Sequence, residues 1–199
     1  MIRRSLYWNE IAEFIDKPIV KVITGIRRCG KSVLLQLIND ELKKRGTAHE
    51  KIIFINLESL QFSDIRNAEA LYAYIRDRIK GKEKHYIILD EIQEAESWER
   101  CINSLLADFR CDIYISGSNS KLLSSELATY LAGRYIELHI QTLSFREYLL
   151  FKEKYDSIKI TNVRKEFIHF LRSGGFPLIH TGKYSMEAVY KIIYDVYSS

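Results

Sequence analysis

The stretch GIRRCGKS, Gly25 to Ser32, constrains the fold more than any other part of the chain. It fits G-x-x-x-x-G-K-[ST], follows the apolar run PIVKVIT (18–24) and opens the helical pattern SVLLQLINDELKKRG (32–46). Strand, glycine loop and helix in that order predict a phosphate site. Gly25 and Gly30 let the backbone turn so that successive N–H groups point inward. Those donors and the helix N-terminus together form an anion cradle. Lys31 supplies a mobile cation to the outer phosphates, and the Ser32 hydroxyl is placed to ligate Mg²⁺. The expected nucleotide-binding set is Gly25, Ile26, Arg27, Arg28, Cys29, Gly30, Lys31, Ser32 and Val33. Arg27 and Arg28 fill variable positions, where a solvated pair is the simpler reading. Cys29 beside the helix start is a candidate for a thiol whose oxidation blocks nucleotide binding; a small residue tolerated at a free position is the blander account.

The rest of the chain repeats the same alternation. Tyr7, Ile11, Phe14 and Ile15 fall at helical spacing and predict a leading helix over 5–16. KIIFINLE (51–58), HYIILDE (85–91), CDIYISGS (111–118) and RYIELHI (134–140) read as four further strands. Helical patterns separate them at about 67–80, from Trp98 to Phe109, and over 120–132. HYIILDE is apolar without alternation, as expected of a strand buried on both faces. Five strands alternating with helices at crossover lengths predict a parallel sheet covered on both sides.

After Ile140 the rhythm changes to helices alone. SFREYLLFKEK opens with Ser144-x-x-Glu147, a capping-box pattern. A helix marked by Val163, Phe167, Phe170 and Leu171 stops at Gly174-Gly175, with Pro177 close behind. A last helix carries Met186, Val189, Ile193 and Val196 to the final residue. It shows no cap and no polar tail, so a further domain is expected downstream. The division is then a nucleotide-binding α/β core over 1–141 and a helical lid over 142–199.

The acids at the end of YIILDE sharpen the chemistry. Asp90 suits an acid that holds the Mg²⁺ shell. Glu91, beyond the strand end, is placed to polarise an attacking water. A carboxylate aimed at water favours hydrolysis over transfer to a small-molecule acceptor. Gln93, two residues on, reads either as a group that positions polar neighbours or, more simply, as a surface glutamine. YISGSNS puts Ser116, Ser118, Asn119 and Ser120 at the mouth of the fourth strand, where ligands bind in an open α/β sheet. A polar residue there can bond the γ-phosphate or the water, and another can cap the following helix. Arg134, at the start of the fifth strand, reads either as a surface residue or as an arginine finger for a neighbouring subunit.

The net charge of +4 is compatible with nucleic acid without demanding it. The basic groups at Lys43–Arg45 and Lys80–Lys84 lie at helix ends, where solvated charge is the default. Cys29, Cys101 and Cys111 are odd in number and lack metal-ligand spacing, pointing to a reducing compartment. The N-terminus lacks a signal peptide's apolar run, and no apolar run reaches the ~20 residues of a membrane span. A cytoplasmic protein without a membrane partner is expected.

GIRRCGKS, YIILDEIQ, ISGSNSKLLSSELATYLAGRYIEL, LSFREYL and GGFP occur in the order seen in a group of prokaryotic AAA-like P-loop ATPases. The group resembles archaeal ATPases related to origin-recognition and MalT-type regulators. The resemblance covers roughly residues 15–180. It implies the sheet order 5-1-4-3-2, a small helical lid after the fifth strand and, in many members, a C-terminal domain of unknown function. It implies that Lys31 and Ser32 contact ATP and Mg²⁺, that Asp90 and Glu91 are the Walker-B acids, and that Ser118 or Asn119 is the first sensor. Arg134 matches the arginine that serves as a finger in AAA relatives, which implies a homo-oligomer. Two departures stand out. Thr142 replaces a proline frequent before LSF, and no clear second sensor is visible, Arg164 and Arg172 being the candidates.

The leading expectation is an ATPase hydrolysing Mg·ATP to ADP to drive a conformational switch. The alternative is a nucleotide-dependent binding switch with little or no turnover, acting on DNA. A small-molecule kinase fits less well, given the Asp90-Glu91 tandem and the absence of an arginine-rich lid.

Overall fold

The computed structural model describes residues 1–118, 131, 133–157 and 159–198. The expected helix over 120–132, and with it Asn119 and Ser120, lies outside the described residues. The described chain forms two compact units. One holds Met1, Arg3–Gly25 and Lys31–His139; the other holds Ile2, Ile26–Gly30 and Ile140–Ser199.

The first unit is built on five parallel strands: β1 (Val20–Thr24), β2 (Ile52–Asn56), β3 (His85–Asp90), β4 (Cys111–Ser116) and β5 (Tyr135–His139). Their order is β2-β3-β4-β1-β5, the order the family resemblance implies. Among the described residues it also holds helices α1 (Ser5–Glu13), α2 (Lys31–Lys44), α3 (Ala68–Arg76) and α4 (Trp98–Asp108). Strand parity assigns the two faces. Val20, Val22, Ile87, Leu89, Ile113 and Ile115 share one core cluster with Leu71 and Ile75 of α3 and Trp98, Ile102 and Leu105 of α4. Helix α2 packs on β3 and β4 and buries Leu34, Leu35, Ile38 and Leu42. Central strands covered by helices on both sides lose their alternation, which is why YIILD reads as one apolar run.

Element ends depart from the sequence pattern where side chains take over backbone bonds. Helix α1 stops at Glu13 rather than at 16. Asp16 turns the chain at φ 70° and gives its N–H to Asp112 Oδ2, 2.8 Å away. Strand β2 stops at Asn56 because Asn56 Oδ1 accepts the Glu58 N–H at 3.0 Å. Helix α3 starts at Ala68 because Asn67 Oδ1 accepts the Ala70 N–H at 2.9 Å. Strand β3 ends at Asp90 because Glu91 is left-handed, at φ 53° and ψ 54°.

At the amino ends of the strands one charged pair is wholly buried. Lys21 of β1 and Asp112 of β4 form an ion pair, each side chain with 0% exposure. Asp112 Oδ2 also accepts the Tyr114 hydroxyl at 2.9 Å, and Lys21 donates to Lys17 O at 2.9 Å. Buried charges persist when their remaining lone pairs and protons are matched in this way.

The second unit contains α5 (Phe145–Asp156), α6 (Val163–Ser173), α7 (Pro177–Thr181) and α8 (Met186–Ser198). Helix α5 opens with the expected capping box. Ser144 Oγ accepts the Glu147 N–H at 3.3 Å, and Glu147 Oε2 accepts the Ser144 N–H at 2.8 Å. Pro177 begins α7 rather than only ending α6, because a first-turn position needs no N–H. Gly175 explains why the TLSF and GGFP stretches belong together. Leu143 donates its N–H to Gly175 O at 2.6 Å, and a Cβ on Gly175 would stand 2.4 Å from Leu143 O. Among the described residues no helix is long and apolar enough to cross a membrane.

Candidate functional site

The carboxyl ends of β1, β3 and β4 are neighbours in the sheet, and each delivers polar groups to the same edge. From β1 the chain passes Gly25 at φ 141° and re-enters α2 through Gly30 at φ 110°. A Cβ on Gly30 would meet nothing within 4 Å. Its requirement is therefore conformational: L-residues disfavour that backbone whatever the space around it. Between the two glycines, Arg28 is also left-handed, at φ 64°, and Cys29 donates its N–H to Ile26 O at 3.3 Å.

Lys31 is buried, with Nζ donating to Gly25 O at 3.1 Å and standing 3.6 Å from Glu91 Oε1. Ser32, the next residue, hydrogen-bonds Asp90 through its side chain. Asp90 is 2% exposed and accepts a second bond from the Ser116 hydroxyl on β4. Ser116 Oγ in turn accepts the Glu91 N–H at 3.2 Å. Burial holds the Asp90 carboxyl above its ordinary value; the Ser116 and Ser32 hydroxyls oppose the shift, neighbouring Glu91 adds to it and Lys31 opposes it. A carboxylate kept in that state gains from a cation placed against it.

Glu91 is also held from its own turn. The short 3₁₀ turn Ile92–Glu94 brings the Gln93 amide back, and its Nε2 donates to Glu91 Oε2 at 2.7 Å. Gln93 is thus an intramolecular partner of the acid, the positioning alternative to the simpler reading of a surface glutamine.

The sequence-predicted residues divide as follows. Gly25, Lys31, Ser32, Asp90 and Glu91 come together at one sheet edge. Ser118 lies past the end of β4, following Gly117, whose N–H donates to Ile23 O at 3.2 Å. Ile26, Arg27, Arg28 and Val33 are exposed, while Cys29 is buried and so shielded from the oxidant that a redox-sensitive loop would need. Arg134 is not brought to these residues. It precedes Tyr135, the β5 partner of Val20, whereas Thr24 pairs with His139. At ~3.3 Å per residue it lies about 17 Å along the strand from the Thr24 end.

Three contacts went unread in the sequence. Ser116 is a clamp on Asp90 and Glu91, a role that follows from pairing β3 with β4 in the register Leu89↔Ile115. Gln93 reaches Glu91 only because Glu91 is left-handed. Thr24, fully buried, donates to Glu137 Oε1 at 2.6 Å and stands 3.1 Å from His139 Nδ1, which fixes the last residue before the glycine loop against β5.

Comparison with known proteins supports the fold and identifies the family. The AAA domain family model matches residues 17–149. An uncharacterized protein of Haemophilus influenzae is 40% identical over 180 residues, covering 90% of this chain and 44% of that protein. The chain thus spans less than half of that relative's length. The Walker-type ATPase of Pyrococcus abyssi superposes with a TM-score of 0.66 at 15% identity, covering 98% of this chain and 72% of that one. AMPPCP-bound DnaA of Aquifex aeolicus superposes at 0.55 and 18% identity, covering 95% of this chain and 60% of that one. Likenesses so distant in sequence speak for the fold, and the family follows from the matched model: the chain belongs to the AAA domain family of P-loop NTPases.

Proposed function

We propose that the chain binds Mg·ATP on the Gly25–Ser32 loop and hydrolyses it, with Glu91 directing the attacking water. One observation carries the reading: a single buried cation, Lys31, touches both the loop carbonyl Gly25 O and the acid Glu91. A γ-phosphate arriving at Lys31 would compete for that cation and free Glu91 Oε1 to accept a proton from water. That pair supports hydrolysis over transfer, since a carboxylate beside the phosphate-binding lysine has water as its natural partner.

The residues present suit Mg²⁺. Ser32 and Asp90 offer one hydroxyl and one carboxylate, already joined to each other. No cluster of three His, Cys, Asp or Glu gathers for a metal among the described residues. Mg²⁺ is bound through one or two protein oxygens, with waters and phosphate oxygens filling the rest. When bound there it would supply positive charge to the phosphate oxygens during transfer.

Steady-state ATPase of the wild type and Glu91→Gln, with and without duplex DNA, tests the assignment. Glu91→Gln should keep nucleotide binding and lose turnover by about 10²–10⁴-fold. Turnover within twofold of wild type would remove Glu91 from its role. A wild type that binds ATP tightly with negligible turnover would favour a binding switch, and DNA-dependent turnover would identify nucleic acid as the partner.

A further inference from the structure

The contact between Gln93 and Glu91 needs explaining, because residues two apart do not face each other along a helix. It exists through a local distortion. Glu91 is left-handed, a backbone conformation that strains a non-glycine residue. The turn that follows is closed by Glu94 N–H to Glu91 O and Ala95 N–H to Ile92 O, each at 3.1 Å. Ile92, with 0% exposure, anchors that turn in the core. The backbone is thereby fixed on both sides of Glu91, and the Gln93 side chain folds back onto the carboxylate.

The orientation of the amide carries further information. Gln93 Oε1 is buried and has no hydrogen-bond partner among the described residues. A buried carbonyl left in this way forfeits the hydrogen bonds it would make in water. Turning the amide over would set its oxygen against a carboxylate that only accepts, so the bond to Glu91 decides which end is left unmatched. Two unfavourable features, a left-handed glutamate and an orphaned acceptor, therefore converge on one bond of 2.7 Å. Strain that persists at an edge where catalytic groups meet is the mark of a positioned side chain.

We propose that Gln93 is a positioning residue for the hydrolytic step: its Nε2–H₂ holds Glu91 Oε2 so that Oε1 alone faces Lys31 and the incoming water. This rests on the reading of Glu91 given above. With Oε2 tied to Gln93 and the Glu91 N–H tied to Ser116, the acid is held from the side chain and the backbone at once. Such orientation places a general base within reach of its proton before substrate arrives. Gln93 touches neither nucleotide nor metal in this role.

The test uses Gln93→Met, close in volume but without a donor. Its expected signature is a split: ATP affinity within twofold of wild type, a melting temperature equal or higher because the orphaned carbonyl is gone, and kcat lower by about ten- to a hundredfold. In a Glu91→Gln background the same substitution should change kcat by less than twofold, since the group it positions is already lost. Turnover is not the only readout. In the nucleotide-free protein the ¹⁵N side-chain amide signal of Gln93 should show slow hydrogen exchange and lose that protection in Glu91→Ala. A kcat within twofold of wild type, or a fall in kcat matched by a fall in melting temperature, overturns the proposal. So does a Gln93 amide that exchanges equally fast in both proteins. If Glu91→Gln turns over normally, the parent reading fails; if Glu91→Gln is inactive while Gln93→Met is normal, only the Gln93 assignment fails. A wild type without turnover overturns both.

Discussion

Lys31 and Glu91 face each other across the candidate site, Nζ to Oε1 at 3.6 Å, with the lysine also donating to Gly25 O. Lys31 is buried, so its charge is satisfied by these groups and not by bulk water. A phosphate anion would replace a shared carboxylate with a stronger and closer partner. Lys31→Ala should therefore weaken ATP binding by about ten- to a hundredfold, the value of one hydrogen bond to a charged group. Titration of a fluorescent ATP analogue at fixed salt measures it, and a Kd within twofold of wild type would contradict it.

Asp90 makes the opposite prediction for stability. Burial raises its carboxyl above the ordinary value in the folded protein, with Ser116 and Ser32 only partly opposing. Between the unfolded and folded values the native state holds the extra proton. The group's contribution is thus most favourable below the unfolded value, is lost as pH rises through the folded value, and is a standing cost at neutral pH. Asp90→Asn should raise the melting temperature of the nucleotide-free protein at pH 7.5, by about 2–4 °C for each kcal/mol relieved. The gain should shrink on acidification, and stabilisation by Mg·ATP should be lost. Scanning fluorimetry between pH 5 and 8 decides; an Asn variant no more stable than wild type at pH 7.5 would contradict the argument.

These two residues were legible in the sequence, and the reason is physical. Gly25, Gly30, Lys31 and Ser32 act through backbone freedom and local order, and strand–loop–helix is a local pattern. Asp90 and Glu91 announce themselves by ending an apolar run. The sheet order came from resemblance, since spacing alone gives strands but no neighbours. What stayed hidden depends on pairing across the sheet or on a backbone reversal. Ser116 looked like one polar residue among several until β3 and β4 were adjacent. Gln93 stays open between a positioning group and a surface residue in sequence, because nothing in DEIQ tells that Glu91 adopts φ 53°. Nothing in the run PIVKVIT sets Lys21 apart, because its partner Asp112 is 91 residues away.

That buried pair yields a prediction of its own. Lys21→Met leaves Asp112 with neutral donors only, the Tyr114 hydroxyl at 2.9 Å and the Asp16 N–H at 2.8 Å. Breaking one side of a fully buried ion pair costs about 3–5 kcal/mol. The urea midpoint should fall accordingly with an unchanged slope. Nucleotide affinity of the folded fraction should hold, because Lys21 lies toward the amino end of β1 and the glycine loop follows its carboxyl end. A loss below about 1 kcal/mol would show that Asp112 is satisfied without the lysine.

Arg134 closes the set, because its position forbids one role and leaves another open. It is exposed at the start of β5, about 17 Å along the strand from the Thr24 end. No side-chain rotation within the sheet's own subunit carries it to Lys31 or Glu91. If it serves hydrolysis, it serves the site of a second copy, and the working form is a homo-oligomer. Arg134→Ala should then bind ATP normally and turn over poorly, with loss on the scale of an arginine finger, about 10³-fold or more. Mixed with Glu91→Gln, it should regain part of its activity, because the mixed interface pairs an intact Glu91 with an intact Arg134. Full activity of Arg134→Ala alone, or no recovery on mixing under conditions where the subunits co-purify, would leave Arg134 a surface residue.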